Sequence, residues 1–327
     1  MSAVPLVSFV VLSYNHGRFI GDCLQSILDQ KGNIPLEIIV VDDASTDDSA
    51  ARIRSFSDPR IHFILHEKNQ GHGPTVRDGF LKARGTLIAR IDGDDRYRPD
   101  FLEKTVPLFD RYPRVGLVYA DTAIINDAGQ ITDGHGDSHQ YHGGKDFIGN
   151  EFCALLERNF ICAPTIIARA EAWKAALPVP EGLAFHDWYF TLSIGRRHEF
   201  YYCHEVLADY RVHAGNMHAS IAHNKTEERS IFWWLDRLYS EKEIDPALET
   251  RKRRVRHRVY GAHYRLLATK YFGYQMNTDA RRCYWRALRH RPPYILDFRF
   301  SRQLAATLVG RVFYDHLKRV LKRKAAA

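Results

Sequence analysis

Apolar runs and amphipathic stretches alternate through the first third of the chain. Val7 to Leu12 (VSFVVL) is almost continuously apolar and stops at the polar break Ser13-Tyr14-Asn15-His16-Gly17. Phe19 to Leu28 then repeats apolar residues (Phe19, Ile20, Cys23, Leu24, Ile27, Leu28) at helical spacing. Ile38 to Val41 is a second apolar run, ending in Asp42-Asp43-Ala44-Ser45-Thr46-Asp47, where Ser45 or Thr46 is placed to cap the next helix. Ile61 to Leu65 reads as a strand, Pro74 to Ala83 as a helix, Leu87 to Ile91 as a strand, Pro99 to Arg111 as a helix and Val115 to Ala120 as a strand. Short apolar strands alternating with helices predict an α/β domain around a doubly wound, mostly parallel sheet. Such sheets bind ligands beyond the carboxyl ends of their strands. Tyr14, Asp43 and Asp92 all fall at those ends.

The pattern then changes. Residues 126–146, rich in Gly, Asp and His, read as a long flexible loop, a lid or acceptor loop; its His135, His139 and His142 are also candidate metal ligands. Glu151 to Trp173 mixes helix with a short strand at Thr165-Ile166-Ile167. Ala184 to Tyr189 leads into a helix with an apolar face (Phe190, Leu192, Ile194), and Phe200 to Tyr210 is strand-like but alternates poorly. From Thr226 strands disappear, and Ile231–Leu238, Val255–Tyr271 and Asp279–His290 read as helices, the last broken by Pro292-Pro293. A terminal apolar stripe (Leu304, Leu308, Val312, Leu317, Val320) is flanked by Arg311, Lys318, Arg319 and Lys322-Arg323-Lys324. It fits either a helix lying on an anionic membrane surface or one packed on its own domain. Two regions follow: 1–222 as the α/β domain and 223–327 as a basic, mainly helical region.

Charge sharpens that division. The net charge of +8 conceals residues 251–327, where 21 Lys and Arg face 3 Asp and Glu, and residues 1–250, where 26 face 36. An acidic body with a basic tail meets two kinds of partner, and the tail suits nucleic acid or an anionic membrane. Five scattered cysteines (Cys23, Cys153, Cys162, Cys203, Cys283) form no C-x-x-C pair and point to reduced thiols in a cytoplasmic protein, with the inner face of the membrane as a peripheral docking place for the tail. No apolar run reaches the roughly 20 residues that cross a bilayer, and Val4 to Leu12 lacks the cationic flank of a signal peptide.

The most distinctive chemistry lies in Leu87 to Arg98 (LIARIDGDDRYR), a buried strand running out into Asp92, Asp94 and Asp95. Carboxylates crowded at a strand tip repel one another and call for a cation or a hydrogen-bonding partner. Asp-x-Asp oxygens suit Mg²⁺ or Mn²⁺ bridging to a diphosphate better than zinc. A solvated acidic turn is the plain alternative. A phosphatase-like hydrolase using Asp92 and Asp94 would place the motif on the first strand, whereas here it follows the fourth. No G-x-x-x-x-G-K-[ST] loop occurs, and Gly71-His72-Gly73 leads to Val76 where a dinucleotide fingerprint needs glycine. Nucleic-acid binding by the tail leaves the acidic strand ends unexplained.

VSFVVLSYN, the helix with CLQSI, LEIIVVDDASTDDS, Asn69-Gln70-Gly71 with Arg77, and ARIDGDD occur in this order. Together they resemble the inverting glycosyltransferases of family 2, of GT-A fold and bacterial cell-surface glycan type, over about residues 5–125 and more weakly to about residue 220. The resemblance implies a hexosyltransferase that moves a sugar from a nucleotide-sugar donor to a hydroxyl of a glycan or lipid-linked acceptor. It implies that Ser13, Tyr14, Asp43 and Arg77 surround the nucleotide, that Asp92 lies by the ribose, and that Asp94 holds Mn²⁺ or Mg²⁺ with His213. It also implies Asp187 as the base that deprotonates the acceptor, with His186 and Trp188 on the acceptor side. Two positions depart from the family pattern: His186 stands where glutamate is usual, and Asp78 where asparagine is common. Inversion needs one base and no covalent intermediate, which accords with a single carboxylate at Asp187.

Overall fold

The computed structural model describes residues 5–213 and 223–309. The described residues form two compact units, 5–155 with 159–213 and 156–158 with 223–309.

The first unit begins with β1 (Val7–Ser13), α1 (Ile20–Leu28), β2 (Leu36–Asp42), α2 (Ser49–Arg54), β3 (Ile61–Leu65), α3 (His72–Lys82) and β4 (Leu87–Asp92). It continues through β5 (Arg96–Tyr97), α4 (Phe101–Arg111), β6 (Val115–Ile125), β7 (Ile131–Asp133), α5 (Asp137–His142), β8 (Phe147–Gly149) and α6 (Phe152–Glu157), whose last two residues count with the second unit. β9 (Ile167–Arg169), α7 (Ala170–Ala175), α8 (His186–Gly195) and β10 (Glu199–Arg211) complete it. One sheet runs in the order β3-β2-β1-β4-β9-β6-β10-β5, with β7 on β6 and β8 on β10.

The β3-β2-β1-β4 half is parallel, as the alternation predicts. Every residue of β1 is buried, because helices cover both faces of a parallel sheet and leave no polar-out positions. Phe9, Val11, Ile38, Val40, Ile91, Ile20 and Leu24 share one core. α3 approaches β1 so closely that a Cβ on Gly79 would collide with Val10 Cγ1, and no larger residue fits there without moving the helix.

The other half is mixed. β9 is antiparallel to both β4 and β6, while β10 is parallel to β6 and antiparallel to β5 and β8. β10 carries register shifts near Cys203, Val206 and Ala208, which explains why its sequence alternates poorly. Residues 126–146 are more ordered than a flexible loop: they contain β7 and α5. Ser45 does not cap α2. Its N–H and hydroxyl both donate to Asp42, at 2.8 and 2.7 Å, and Asp47 instead accepts from the N–H of Ser49 at 2.9 Å.

The second unit holds α9 (Thr226–Ser240), α10 (Pro246–Gly273), α11 (Asn277–His290) and α12 (Phe298–Val309). Asp245 caps α10 by accepting from the N–H of Ala247 at 2.9 Å. Leu267, Tyr271, Cys283, Tyr284 and Ala287 are buried. Lys252 is buried too, and its ammonium donates to Leu238 O, Glu241 O and Glu243. Of the terminal stripe, Leu304 is buried and Leu308 exposed; Val312, Leu317, Val320 and their basic neighbours lie outside the described residues. No helix of the described residues is long and apolar enough to cross a membrane.

Candidate active site

β1, β2 and β4 end side by side, with Leu12 opposite both Val41 and Asp92. Their carboxyl ends therefore deliver Ser13, Asp42, Asp43 and Asp92 to one edge of the sheet. Ser13 is buried and its hydroxyl donates to Asp42 at 2.7 Å, so it braces the strand end. Tyr14 is exposed. Asn15 has a left-handed backbone (φ 57°), and its side-chain oxygen accepts from the N–H of Thr46 at 2.8 Å, tying the two turns together.

Asp43 is buried and heavily engaged. Its carboxylate accepts from the N–H groups of Gln70 and Gly71, each at 2.8 Å, and lies 2.8 Å from His66 Nδ1. On its other side His66 lies 3.2 Å from Asp78, which in turn accepts from Arg77 Nε at 2.8 Å. The residue that departs from the family pattern, Asp78, thus closes a relay from Arg77 to Asp43.

The end of β4 is a charge cluster. Arg90, buried within an apolar strand, donates to both Asp92 oxygens at 2.7 and 3.0 Å and lies 2.6 Å from His72 Nε2. Burial works against the charge of Asp92, but the Arg90 guanidinium and the His72 contact outweigh it and hold the carboxyl far below the usual range. A carboxylate bound through both oxygens is a poor nucleophile, which counts against the phosphatase reading. Asp95 goes the other way: burial, then the charges of Asp94 and Asp92, push it well above the carboxylate range. It accepts from the Arg211 N–H at 2.8 Å, and the Arg211 guanidinium donates to Asp94 O at 2.7 Å. Asp94 and His213, 119 residues apart in sequence, meet at 3.0 Å, with His16 3.9 Å from the same oxygen. One carboxylate oxygen and one imidazole nitrogen form a donor pair that fits a divalent metal ion.

Asp187 occupies the first turn of α8 and accepts from Asn159 Nδ2 at 2.9 Å. His186 stacks on His72, ring centroids 4.4 Å apart. Burial, then the His72 and Arg90 charges, drive its pKa down to about 2, so its ring is neutral at physiological pH. That stack places His186 one ring away from Asp92, since His72 Nε2 lies 3.7 Å from the Asp92 carboxylate. Trp188 is buried and its indole N–H donates to Leu155 O at 2.7 Å.

Sequence reasoning gave no role to Arg90, His72 or Asn159, and placed Arg211 only as a neighbour of His213. Arg90 carried a visible signal, a charge between Ile88 and Ile91 in a buried run.

Comparison with known proteins names the class. The chain has the GT-A glycosyltransferase fold: S. aureus TarS 1-349 superposes with a TM-score of 0.63 at 15% identity, covering 93% of this chain and 92% of that one. The mannosyltransferase PcManGT from Pyrobaculum calidifontis, in complex with GDP-Man and Mn²⁺, superposes with a TM-score of 0.60 at 16% identity, covering 94% and 87%. Residues 8–169 belong to glycosyl transferase family 2. The succinoglycan biosynthesis protein ExoO of Rhizobium meliloti is 40% identical over 103 residues, 32% of this chain and 29% of that protein. The chain spans less than two thirds of the first relatives it matches, reaching 63% of an uncharacterized Mycobacterium tuberculosis protein that is 30% identical over 237 residues, 69% of this chain.

Proposed function

We propose that this chain is an inverting, metal-dependent glycosyltransferase that passes a sugar from a nucleoside-diphosphate sugar to an acceptor hydroxyl during assembly of a cell-surface glycan. The pairing of Asp94 with His213 across 119 residues carries the reading, because it sets a metal-compatible donor pair beside the strand ends that family 2 uses for its nucleotide. The relative that acts in succinoglycan biosynthesis supports the glycan assignment, and the GDP-Man and Mn²⁺ complex of a fold neighbour supports the donor and the metal.

In this reading Tyr14, Asp43 and Arg77 border the nucleotide, with Ser13 fixing the strand end beneath it. Asp92, held ionised by Arg90, accepts a hydrogen bond from the ribose. Asp94 and His213 hold the divalent ion, which when bound neutralises the charge that develops on the leaving diphosphate. Asp187 takes the acceptor proton as the hydroxyl attacks the face opposite the diphosphate. Asn159 binds one Asp187 oxygen and leaves the other to receive that proton. Neutral His186 packs behind His72 without adding a positive charge next to Arg90.

The region from residue 223 is assigned to an anionic membrane on the cytoplasmic face. Ile295, Leu296 and Phe298 are exposed beside Arg291, Arg299 and Arg302, which pairs apolar contact with positive charge.

Calorimetric titration of UDP and GDP, with Mn²⁺ and then with EDTA, tests the donor site. Binding of at least one diphosphate that requires Mn²⁺ and weakens in Asp94→Ala is expected. Affinity that is the same with metal and with chelator would remove Asp94 and His213 from the metal role.

A further inference from the structure

The β7–α5 excursion returns to β6 at a second histidine-rich cluster built from different residues. Asp121, on β6, has a fully buried side chain. One of its oxygens is saturated, accepting from the N–H of Thr122 at 2.8 Å and of Gly136 at 3.0 Å. The chain passes so close at Gly136 that a Cβ would lie 2.7 Å from Thr122 Cγ2. The second oxygen, Oδ2, faces two imidazoles: His135 Nδ1 at 2.5 Å and His139 Nδ1 at 3.1 Å.

Hydrogen bonding alone does not account for this arrangement. His139 Nδ1 is buried and, despite its 3.1 Å approach, makes no hydrogen bond of acceptable geometry among the described residues. The rings stack with centroids 3.8 Å apart, so both nitrogens converge on one oxygen from the same side. Nearby, the buried Tyr202 hydroxyl has no hydrogen-bond partner among the described residues, and burial followed by the Asp121 charge pushes its phenol well up.

We propose that Asp121, His135 and His139 form a transition-metal site, with Zn²⁺ as the ion its donors suit best. The three donor atoms lie within 4.8 Å of one another. Tetrahedral ligands about 2.0–2.2 Å from zinc are separated by roughly 3.3 Å, so small ring rotations open the cluster around an ion. Two imidazoles and one carboxylate favour zinc over Mg²⁺ or Ca²⁺, which take oxygen. The two histidine side chains are 51% and 32% exposed, which gives an ion an entry path and a fourth position for water. His142 stands outside the set, 2.9 Å from Glu151 and 2.7 Å from the Tyr119 hydroxyl.

The ion would fasten α5 to β6. Ser138 on α5 donates to Phe160 O at 2.7 Å, next to Asn159, which holds Asp187. A bound ion therefore stiffens the wall behind the proposed base, apart from the diphosphate site at Asp94 and His213.

Titration of the full chain with Zn²⁺ in excess Mg²⁺, by calorimetry, and with Co²⁺, by visible absorption, tests the proposal. One equivalent should bind, and the affinity should fall in His135→Gln/His139→Gln by more than the roughly 10–100-fold that loss of an outer-shell partner costs. Both changes are at partly exposed positions, and circular dichroism checks that the variant stays folded. His204→Gln, which alters an exposed histidine paired with Asp146, should bind as the native chain does. Equal binding by the native chain and the double variant would overturn the site. So would loss of the ion in Asp94→Asn together with its retention in the double variant, which would place it at the diphosphate site.

Discussion

Arg90→Met is the sharpest probe of the charge cluster at the end of β4. The methionine roughly fills the volume of the guanidinium stem but removes the group that binds both Asp92 oxygens. Asp92 is then left ionised beside Asp94 with its counter-ion gone. Breaking a fully buried pair this way costs about 3–5 kcal/mol. Because the Asp92 side chain is 30% exposed, solvent recovers part of that, and about 2–3 kcal/mol is the working expectation at pH 7.5. The pH dependence carries the diagnosis. In the native chain the Asp92 pKa is depressed, so its contribution is present above the unfolded value of about 4 and fades only as pH falls through the folded value. In the variant the same carboxyl has a raised pKa and protonates on mild acidification, which relieves the unpaired charge. The stability gap between the two proteins should therefore narrow from pH 7.5 to pH 5. Urea unfolding followed by far-UV circular dichroism at both pH values measures it. A gap under about 1 kcal/mol, or one that does not change with pH, would refute the assignment of Arg90 as the counter-ion of Asp92.

Asp187→Asn should keep donor affinity and lower transfer by about 10²–10⁴-fold, the range for a positioned base. Asn159→Ala should lower kcat with little change in donor KM and should shift the acid limb of the pH profile; unchanged limbs would reduce Asn159 to a packing role. His186 has a folded pKa of about 2 against an unfolded value of about 6.5, so unfolding takes up a proton below pH 6.5 and the native chain loses about 1.4 kcal/mol per pH unit from this group there. His186→Gln should flatten that acid-side loss, measured as unfolding midpoints from pH 4.5 to 7; an unchanged slope would contradict the neutral ring. The full chain should float with anionic but not neutral vesicles at low salt, at about 1 kcal/mol per basic residue near the surface, and release at high salt. If a chain cut before Arg302 floats equally well, the docking surface lies upstream of the terminal stripe.

The periodic part of the chain was the legible part. β1 to β4 and their helices follow from apolar runs because a sheet covered on both faces tolerates little else at interior positions such as Phe9, Val11 and Ile91. β9 was unreadable as a partner of β4, since three residues fix neither neighbours nor direction and its pairing is decided by where α6 and the preceding turns return the chain. β7 and α5 were hidden by glycine and histidine, whose ordering comes from contacts to Asp121 across the fold. Asp94 and His213 could be proposed together only through family likeness, because no local spacing links residues 119 apart. The relay through His66 and Asp78 depends on side-chain contacts beyond β3 and along α3 that periodicity does not encode.

The position of β9 bears on where this protein can be divided. The segment that matches family 2 ends at Arg169, the last residue of β9, yet β6 has β10 on its far side over ten paired positions from Glu199 to Arg211. A protein stopped after Arg169 would keep β9 seated between β4 and β6 but would leave the other side of β6 as a long row of unmet N–H and C=O groups. Sticky borders of that kind recruit strands from other molecules. The smallest piece that can stay monodisperse therefore runs through Arg211, well past the family boundary, and it takes Asp187 and the strand that leads to His213 with it.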